Sequence, residues 1–93
     1  MNLRKEARGR ECQIRIPYIC NGDPDTVVLC HLPSGAMGGK SLDIHGAYGC
    51  SACHDAVDGR SNTDYPPELL KLWLHEAVIR TQKILVEEGK IRV

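Results

Sequence analysis

Two closely spaced cysteines followed by a histidine, Cys50-Ser51-Ala52-Cys53-His54, constrain this chain more than any other feature. Two kinds of site use this pattern. A c-type haem attaches through Cys-x-x-Cys-His with the histidine as an axial ligand, and Met37 would offer a second axial ligand. A tetrahedral zinc site uses the same two thiolates as half of its ligand set. The rest of the sequence has to distinguish haem from zinc.

The chain is small and poor in large apolar side chains. It has 93 residues with no Phe, one Trp and three Tyr, so its hydrophobic core can only be small. We therefore expect a metal ion or a cross-link to add stability. No apolar signal segment follows the charged first ten residues, and no stretch is apolar enough to span a membrane. We therefore expect a cytoplasmic protein without membrane contact, in which disulfides are disfavoured and cysteines serve as metal ligands.

The five cysteines divide into two pairs and one single residue. Cys12 and Cys20 lie on one segment, and Cys50 and Cys53 on another. Four thiolates from two separated segments predict one structural Zn²⁺ site, although some of them could instead be buried free thiols. Haem would leave the first pair and Cys30 without a role. We interpret Cys30 as a small buried strand residue.

The residue pattern predicts an α+β domain with five segments in chain order. They are a cysteine loop at 12–20, a strand at 26–32, a glycine-rich loop at 33–40, a short helix at 50–57 and a long amphipathic helix at 66–89. Residues 42–48 fit either a second short strand or irregular structure. Asp64 is the predicted cap of the long helix, and Gly89 fits the position after its last turn.

The charges are balanced overall but not locally. The formal net charge is zero, which argues against binding nucleic acid by charge alone. Residues 1–16 carry five basic and two acidic side chains. We expect residues 1–11 to form a basic arm that contacts phosphates or a solvated terminus, and residues 12–93 to form a single domain.

The order of cysteines and histidines resembles that of the HNH (His-Me finger) endonucleases over a motif core at residues 12–60. The matching residues are the first cysteine pair, His31 at a strand end, Gly38-Gly39, His45, and Cys50-x-x-Cys53-His54. Two positions depart from the family pattern. Cys30 stands where the family usually has an aspartate before the first histidine, and His45 stands where it has an asparagine.

The resemblance implies a small zinc-stapled ββα-metal core with a C-terminal amphipathic helix. It implies hydrolysis of nucleic-acid phosphodiesters, with DNA as the expected substrate. His31 would be the general base, and His54 would bind one catalytic divalent metal, for which Mg²⁺, Mn²⁺, Zn²⁺ and Ni²⁺ are candidates. His45 would ligate the same metal or orient the site. Further candidates are two carboxylates and two phosphate-binding side chains, namely Asp43, Asp55, Lys40 and Arg60.

The departure at Cys30 and the neutral charge favour an alternative from a different functional class. A zinc-ribbon-like module would keep this fold and bind nucleic acid or protein without catalysis. Activity with added metal separates the two interpretations. The sequence makes no prediction of the oligomeric state.

Overall fold

A computed structural model describes residues 3–32 and 43–91, and within these ranges it contains three α-helices and one two-stranded sheet. The elements in chain order are α1 (Leu3–Ala7), β1 (Val28–His31), β2 (Gly46–Gly49), α2 (Ser51–Val57) and α3 (Pro67–Glu87). This is the small α+β fold that the sequence predicts. The predicted glycine-rich loop at 33–40, with Met37, Gly38-Gly39 and Lys40, lies outside the described residues.

The sheet is an antiparallel hairpin that places His31 at the end of β1, opposite Gly46 in β2. Its first strand is shorter than the predicted 26–32, because Thr26 belongs to a 3₁₀ turn that the Asp23 side chain caps. Within the ambiguous segment 42–48, residues 43–45 form a second 3₁₀ turn and residues 46–48 belong to the second strand.

Gly49 lets β2 approach the core more closely than any other residue type would. A Cβ atom there would lie 2.5 Å from Ile14 Cδ1 and 2.8 Å from Cys30 Sγ. Both distances are far below van der Waals contact, so a side chain at this position would displace the core. Gly49 therefore brings the strand against the loop that carries Cys12, directly before Cys50.

Helix α3 covers the sheet with a buried stripe at helical spacing. The buried residues are Leu74, Ala77, Val78, Thr81 and Leu85. The helical spacing of apolar residues predicts a stripe made of Leu70, Trp73, Leu74, Ala77, Ile84 and Leu85. Three of these six are buried and the other three are partly buried, whereas Val78 and the polar Thr81 are missing from the prediction. The Thr81 hydroxyl donates to the Ala77 carbonyl at 2.8 Å and accepts the Tyr48 backbone N–H at 3.1 Å. The hydroxyl thus supplies a hydrogen-bond acceptor for the Tyr48 N–H of β2, which does not bond to the neighbouring strand β1.

The two ends of α3 differ in how well the sequence predicted them. The prediction of Asp64 as the cap is wrong, because Pro66 takes the cap position and makes no side-chain bond to the helix. Pro67 begins the helix with a φ angle that proline already favours. Gly89 has φ +74°, and its N–H donates to the Val86 carbonyl at 3.0 Å. The glycine therefore ends the helix as predicted.

The N-terminal segment is packed rather than extended over residues 3–7. Helix α1 buries Leu3 and Ala7 against the domain and contacts β1. Two ion pairs join this N-terminal segment to the residues after α3. Arg10 pairs with Glu88, and Lys90 pairs with Glu6.

Glu88 provides a test of this ion-pair cluster. Hydrogen bonds from Arg10 and then Lys90 lower the pKa of Glu88 to about 2. A lowered pKa stabilises the fold above the ordinary glutamate pKa, and this stabilisation disappears as the pH falls toward 2. We expect Glu88→Gln to lower the urea midpoint at pH 7, and the difference from the parent to shrink below about pH 4.3.

The matched control is Glu87→Gln, because Glu87 is an exposed neighbour whose contact with Lys83 is 3.9 Å long. This control should change the midpoint little at any pH. An equal difference between Glu88→Gln and the parent at pH 7 and pH 2.5 would show that the ion pairs do not stabilise the fold.

Candidate functional site

Four cysteines from two distant segments meet in one cluster. Cys12 and Cys20 come from the loop between α1 and β1, Cys50 is the N-cap of α2, and Cys53 lies in its first turn. Their sulfur atoms all lie within 4.8 Å of one another. The two predicted pairs are therefore brought together as a possible ligand set, and Cys50 and Cys53 are fully buried within it.

The sulfur positions fit a tetrahedral zinc ion. Bonds of about 2.3 Å from zinc to sulfur place neighbouring sulfurs about 3.8 Å apart. The Sγ atoms of Cys20 and Cys50 are 3.8 Å apart. Burial of both thiols of the Cys-x-x-Cys pair in this cluster also leaves no exposed sulfur for a haem. The geometry favours zinc over haem for this motif.

Backbone N–H groups donate hydrogen bonds to two of the sulfur atoms. The N–H of Arg15 donates to Cys12 Sγ at 3.5 Å, and the N–H of Cys53 donates to Cys50 Sγ at 3.4 Å. The Cys53 thiol donates to Cys12, and this bond lowers the pKa of Cys12 and raises the pKa of Cys53. A divalent cation would take the place of the shared protons, because metal ligation requires thiolates.

The fifth cysteine is separate from the cluster. Cys30 is 1% exposed on β1, as expected for a small buried strand residue, and burial raises the pKa of its thiol to about 12. It is therefore a protonated thiol at neutral pH.

Two of the predicted site histidines line one open hollow on the surface. His31 comes from the end of β1 and His54 from α2, and the hollow has a volume of about 460 Å³. Its other lining residues are Arg4, Val28, Leu29 and Asp58. The third predicted histidine, His45, is exposed in the 3₁₀ turn before β2 and is not among the described residues that line this hollow.

Each histidine of the hollow is bonded to a carboxylate. His31 Nε2 lies 2.8 Å from Asp43 Oδ1, and His54 Nε2 lies 3.0 Å from Asp58 Oδ2. Asp43 is one of the two carboxylates that the sequence analysis names as candidate site residues. The other, Asp55, accepts the backbone N–H of Arg60 at 2.9 Å through its carbonyl.

Asp58 is a site residue that sequence reasoning missed. It is the residue at the C-terminal cap of α2. The signal that could have found it is its spacing of four residues from His54, because residues i and i+4 lie on one face of a helix.

The matches to known proteins extend over nearly the whole chain. The family described as "Putative nuclease YbcO" matches residues 1–90. This chain belongs to the YbcO family. The family member of Escherichia coli strain K12 is 43% identical over 97 residues, which cover 98% of this chain and 97% of the relative. A YbcO protein of Enterobacteria phage 82 has the same identity and coverage.

A solved structure also resembles this fold. It is described as "Structure of a putative bacteriophage protein from Escherichia coli str. K-12 substr. MG1655". Its TM-score is 0.83 at 44% identity, and the match covers 95% of this chain and 100% of that chain. The YbcO family thus includes proteins from a bacterium and from a phage.

In the part of the chain that the structure describes, no helix has the length and apolarity needed to cross a membrane.

Proposed function

We propose that this protein is a metal-dependent endonuclease of the HNH type that hydrolyses nucleic-acid phosphodiesters, with DNA as the expected substrate. The observation that carries this proposal is the hollow lined by His31 and His54, each bonded to a carboxylate. Relatives in the YbcO family carry the word nuclease in their names, which supports the same class of reaction.

The arrangement of elements supports the HNH assignment. A hairpin whose first strand ends in His31 is followed directly by α2, which carries His54. The cysteine cluster joins the N-terminal loop to the first turn of that helix. Zinc in the cluster would hold the helix beside the hairpin, so that the two imidazoles stay on the same hollow.

His31 has the surroundings of a general base. With Nε2 engaged by Asp43, the ring is oriented and Nδ1 is the nitrogen left to take a proton. A water molecule in the hollow would lose this proton as it attacks the phosphorus atom, in line with the leaving oxygen. Asp43 would stabilise the imidazolium that results.

His54 and Asp58 suit a shared divalent cation. Their nitrogen and oxygen are 3.0 Å apart, close to the spacing of about 3 Å between neighbouring ligands with bonds of about 2.1 Å. A cation there supplies positive charge that offsets the charge developing on the phosphate and leaving oxygens. The described residues hold no second cluster of three such ligands, so water and phosphate would complete the set.

The donor set narrows the choice of cation. Mg²⁺ prefers oxygen ligands, whereas Mn²⁺, Ni²⁺ and Zn²⁺ accept imidazole readily. A pair made of one imidazole and one carboxylate therefore favours the last three. His45 would orient the site or ligate the cation, as the family resemblance implies, and His45→Ala tests whether either role exists.

A basic surface beside the hollow supports contact with a phosphate backbone. Arg4, Lys5 and Arg8 line an adjoining hollow of about 450 Å³ that shares Arg4 and Val28 with the histidine hollow. Helix α1 and the residue that follows it therefore carry positive charge next to the proposed site. Such contacts give affinity without sequence preference.

The zinc-ribbon-like binding module is the second candidate, and Cys30 favours it. This thiol is 1% exposed and is not among the described residues that line the histidine hollow, so it does not replace the metal-binding aspartate of the family pattern. A protein of this kind would bind nucleic acid or protein and cleave nothing with any metal.

Plasmid nicking by the zinc-loaded protein tests the proposed function, with Mg²⁺, Mn²⁺, Ni²⁺ or Zn²⁺ added in turn. We expect cleavage that requires added metal. His54→Ala should raise the metal concentration needed for half-maximal cleavage, and excess metal should restore part of the rate. Asp58→Asn should raise it by roughly 10–100-fold, as for other groups that support a metal site.

His75→Ala is the matched control, because His75 is an exposed histidine of α3 whose bond among the described residues is to the Lys71 carbonyl of the same helix, at 2.7 Å. It should cleave as the parent does. If the parent nicks nothing with any of the four metals, the binding-module function replaces the nuclease.

A further inference from the structure

A second hollow, which we call the Tyr18 hollow, lies between the cysteine loop and the segment that joins α2 to α3. It has a volume of about 510 Å³ and is lined by residues 17–19 and 62–65. None of these residues belongs to the cysteine cluster or to the histidine hollow. The proposed chemistry therefore leaves the Tyr18 hollow without a role.

Tyr18 is held in an exposed, left-handed conformation by a tight turn, in which the N–H groups of Ile19 and Cys20 donate to the Ile16 carbonyl at 3.1 Å and 2.9 Å. Its side chain is 104% exposed, so the ring is not covered by any part of the described chain. Its φ angle is +64°, in the left-handed region that bulky residues rarely adopt. The turn that leads to Cys20 enforces this φ angle and so fixes Tyr18 with its side chain in solvent.

The opposite wall of the hollow is rigidly attached. The Tyr65 hydroxyl donates to the Pro17 carbonyl at 2.9 Å and so joins the two walls. The Tyr65 ring also packs edge-on against Trp73, with centroids 4.8 Å apart and planes at 84°. The hollow is therefore formed in advance of any ligand, which lowers the entropy cost of binding.

The polar groups in the hollow suit a nucleobase better than a phosphate. The Asn62 amide offers a donor and an acceptor, and Asp64 offers a carboxylate. A carboxylate repels phosphate but accepts hydrogen bonds from the amino groups on base edges. An exposed aromatic ring beside these groups provides a stacking surface, because every base has a π-face.

We propose that the Tyr18 hollow binds one unpaired nucleobase of the substrate, stacked on Tyr18 and hydrogen-bonded by Asn62 and Asp64. This inference rests on the proposed function for the presence of a nucleic-acid substrate. It adds that the protein prefers a strand with an unpaired base near the cleavage site.

The distance between the two hollows supports one continuous strand path. Asp58 of the histidine hollow and Asn62 of the Tyr18 hollow are four residues apart, which limits their Cα separation to about 14 Å. Arg60 lies between them, and its side chain is 68% exposed. A strand whose phosphate reaches His54 could therefore contact Arg60 and place a neighbouring base on Tyr18.

The test measures binding of a single-stranded DNA of ten nucleotides that carries 2-aminopurine at its centre. The zinc-loaded full chain is titrated in without any other divalent metal, so that binding is separated from cleavage. We expect stacking to quench the 2-aminopurine fluorescence. Tyr18→Ala should weaken binding roughly 5- to 150-fold, the loss expected for one stacked base.

Three comparisons make the result specific. Tyr18→Phe keeps the ring and should bind as the parent does. Ile79→Ala removes a side chain that is 67% exposed and lines neither hollow, so it should have no effect. A fully paired duplex of the same sequence should bind the parent and Tyr18→Ala equally. Zinc content and thermal unfolding should be unchanged in all variants, because Tyr18 is exposed.

The inference is overturned if Tyr18→Ala binds the single strand as tightly as the parent, or if Tyr18→Phe loses as much affinity as Tyr18→Ala. Metal-dependent nicking by the parent would then leave the proposed function standing. Conversely, Tyr18-dependent binding without nicking supports the inference and contradicts the nuclease.

Discussion

His31→Ala should lower the rate of DNA nicking by about 10²–10⁴, the usual contribution of a positioned general base. The expected loss is large because the other imidazole that lines the hollow, His54, is assigned to the metal together with Asp58 and does not take the proton. The measurement is the single-turnover nicking rate at saturating metal, together with zinc content and thermal unfolding. Both of the latter should match the parent, because His31 lies outside the cysteine cluster.

A graded series separates the base from its support. Asp43→Asn keeps a group that can bond the ring but removes the negative charge that stabilises the imidazolium, so it should lower the rate less than His31→Ala does. Excess metal should not rescue either variant, in contrast to His54→Ala. If His31→Ala nicks DNA as fast as the parent, His31 is not the base.

Removal of zinc should unfold the domain. Structural zinc sites bind with about 10–16 kcal/mol at neutral pH, which is as large as the whole stability of about 5–15 kcal/mol of a typical domain. The chain has no Phe, and its fully buried side chains include two of the four clustered cysteines. We expect about one zinc per chain by elemental analysis, and loss of helical circular dichroism when a strong chelator is added.

Cysteine variants distinguish zinc ligation from packing. Cys53→Ser should abolish zinc binding and the folded state together, because it removes a fully buried member of the cluster. Cys30→Ala is the matched control, since Cys30 is equally buried but lies outside the cluster. This control should keep its zinc and lose only about 1 kcal/mol of stability. Folded protein that contains no zinc and ignores the chelator would rule out the structural metal.

Much of the fold could be predicted because its signals are local. The β-branched run gave the position of β1, the helical spacing of apolar residues gave α3, and Gly89 gave its end. Each of these depends on contacts within a few residues, where side-chain period and backbone preference act directly. The spacing of the cysteines likewise predicted which four sulfurs would meet, because few other ligands were available.

The sequence predictions failed or were incomplete where two local signals compete, or where a long-range contact decides whether a residue is buried. Asp64 is a good capping residue, but the proline pair nearby already sets the start of α3 without a side-chain bond. Thr81 was left out of the stripe because hydroxyls are usually exposed, yet it bonds a strand N–H 33 residues away. The hydroxyl could be recognised as buried only once β2 was known to lie against that helix.

The sequence by itself determined the class of fold and the four cysteines that cluster, because both follow from residue type and spacing, and the family resemblance pointed to the two histidines that the hollow contains. Only the tertiary structure decided that Asp43 faces His31, that residues 3–7 pack as a helix, and that Tyr65 is bonded beside Tyr18. Those facts depend on contacts between separate segments, such as Tyr65 with Pro17, 48 residues apart, and Arg10 with Glu88, 78 residues apart. Such contacts form only when the whole chain has closed around its core, so no local pattern of residues encodes them.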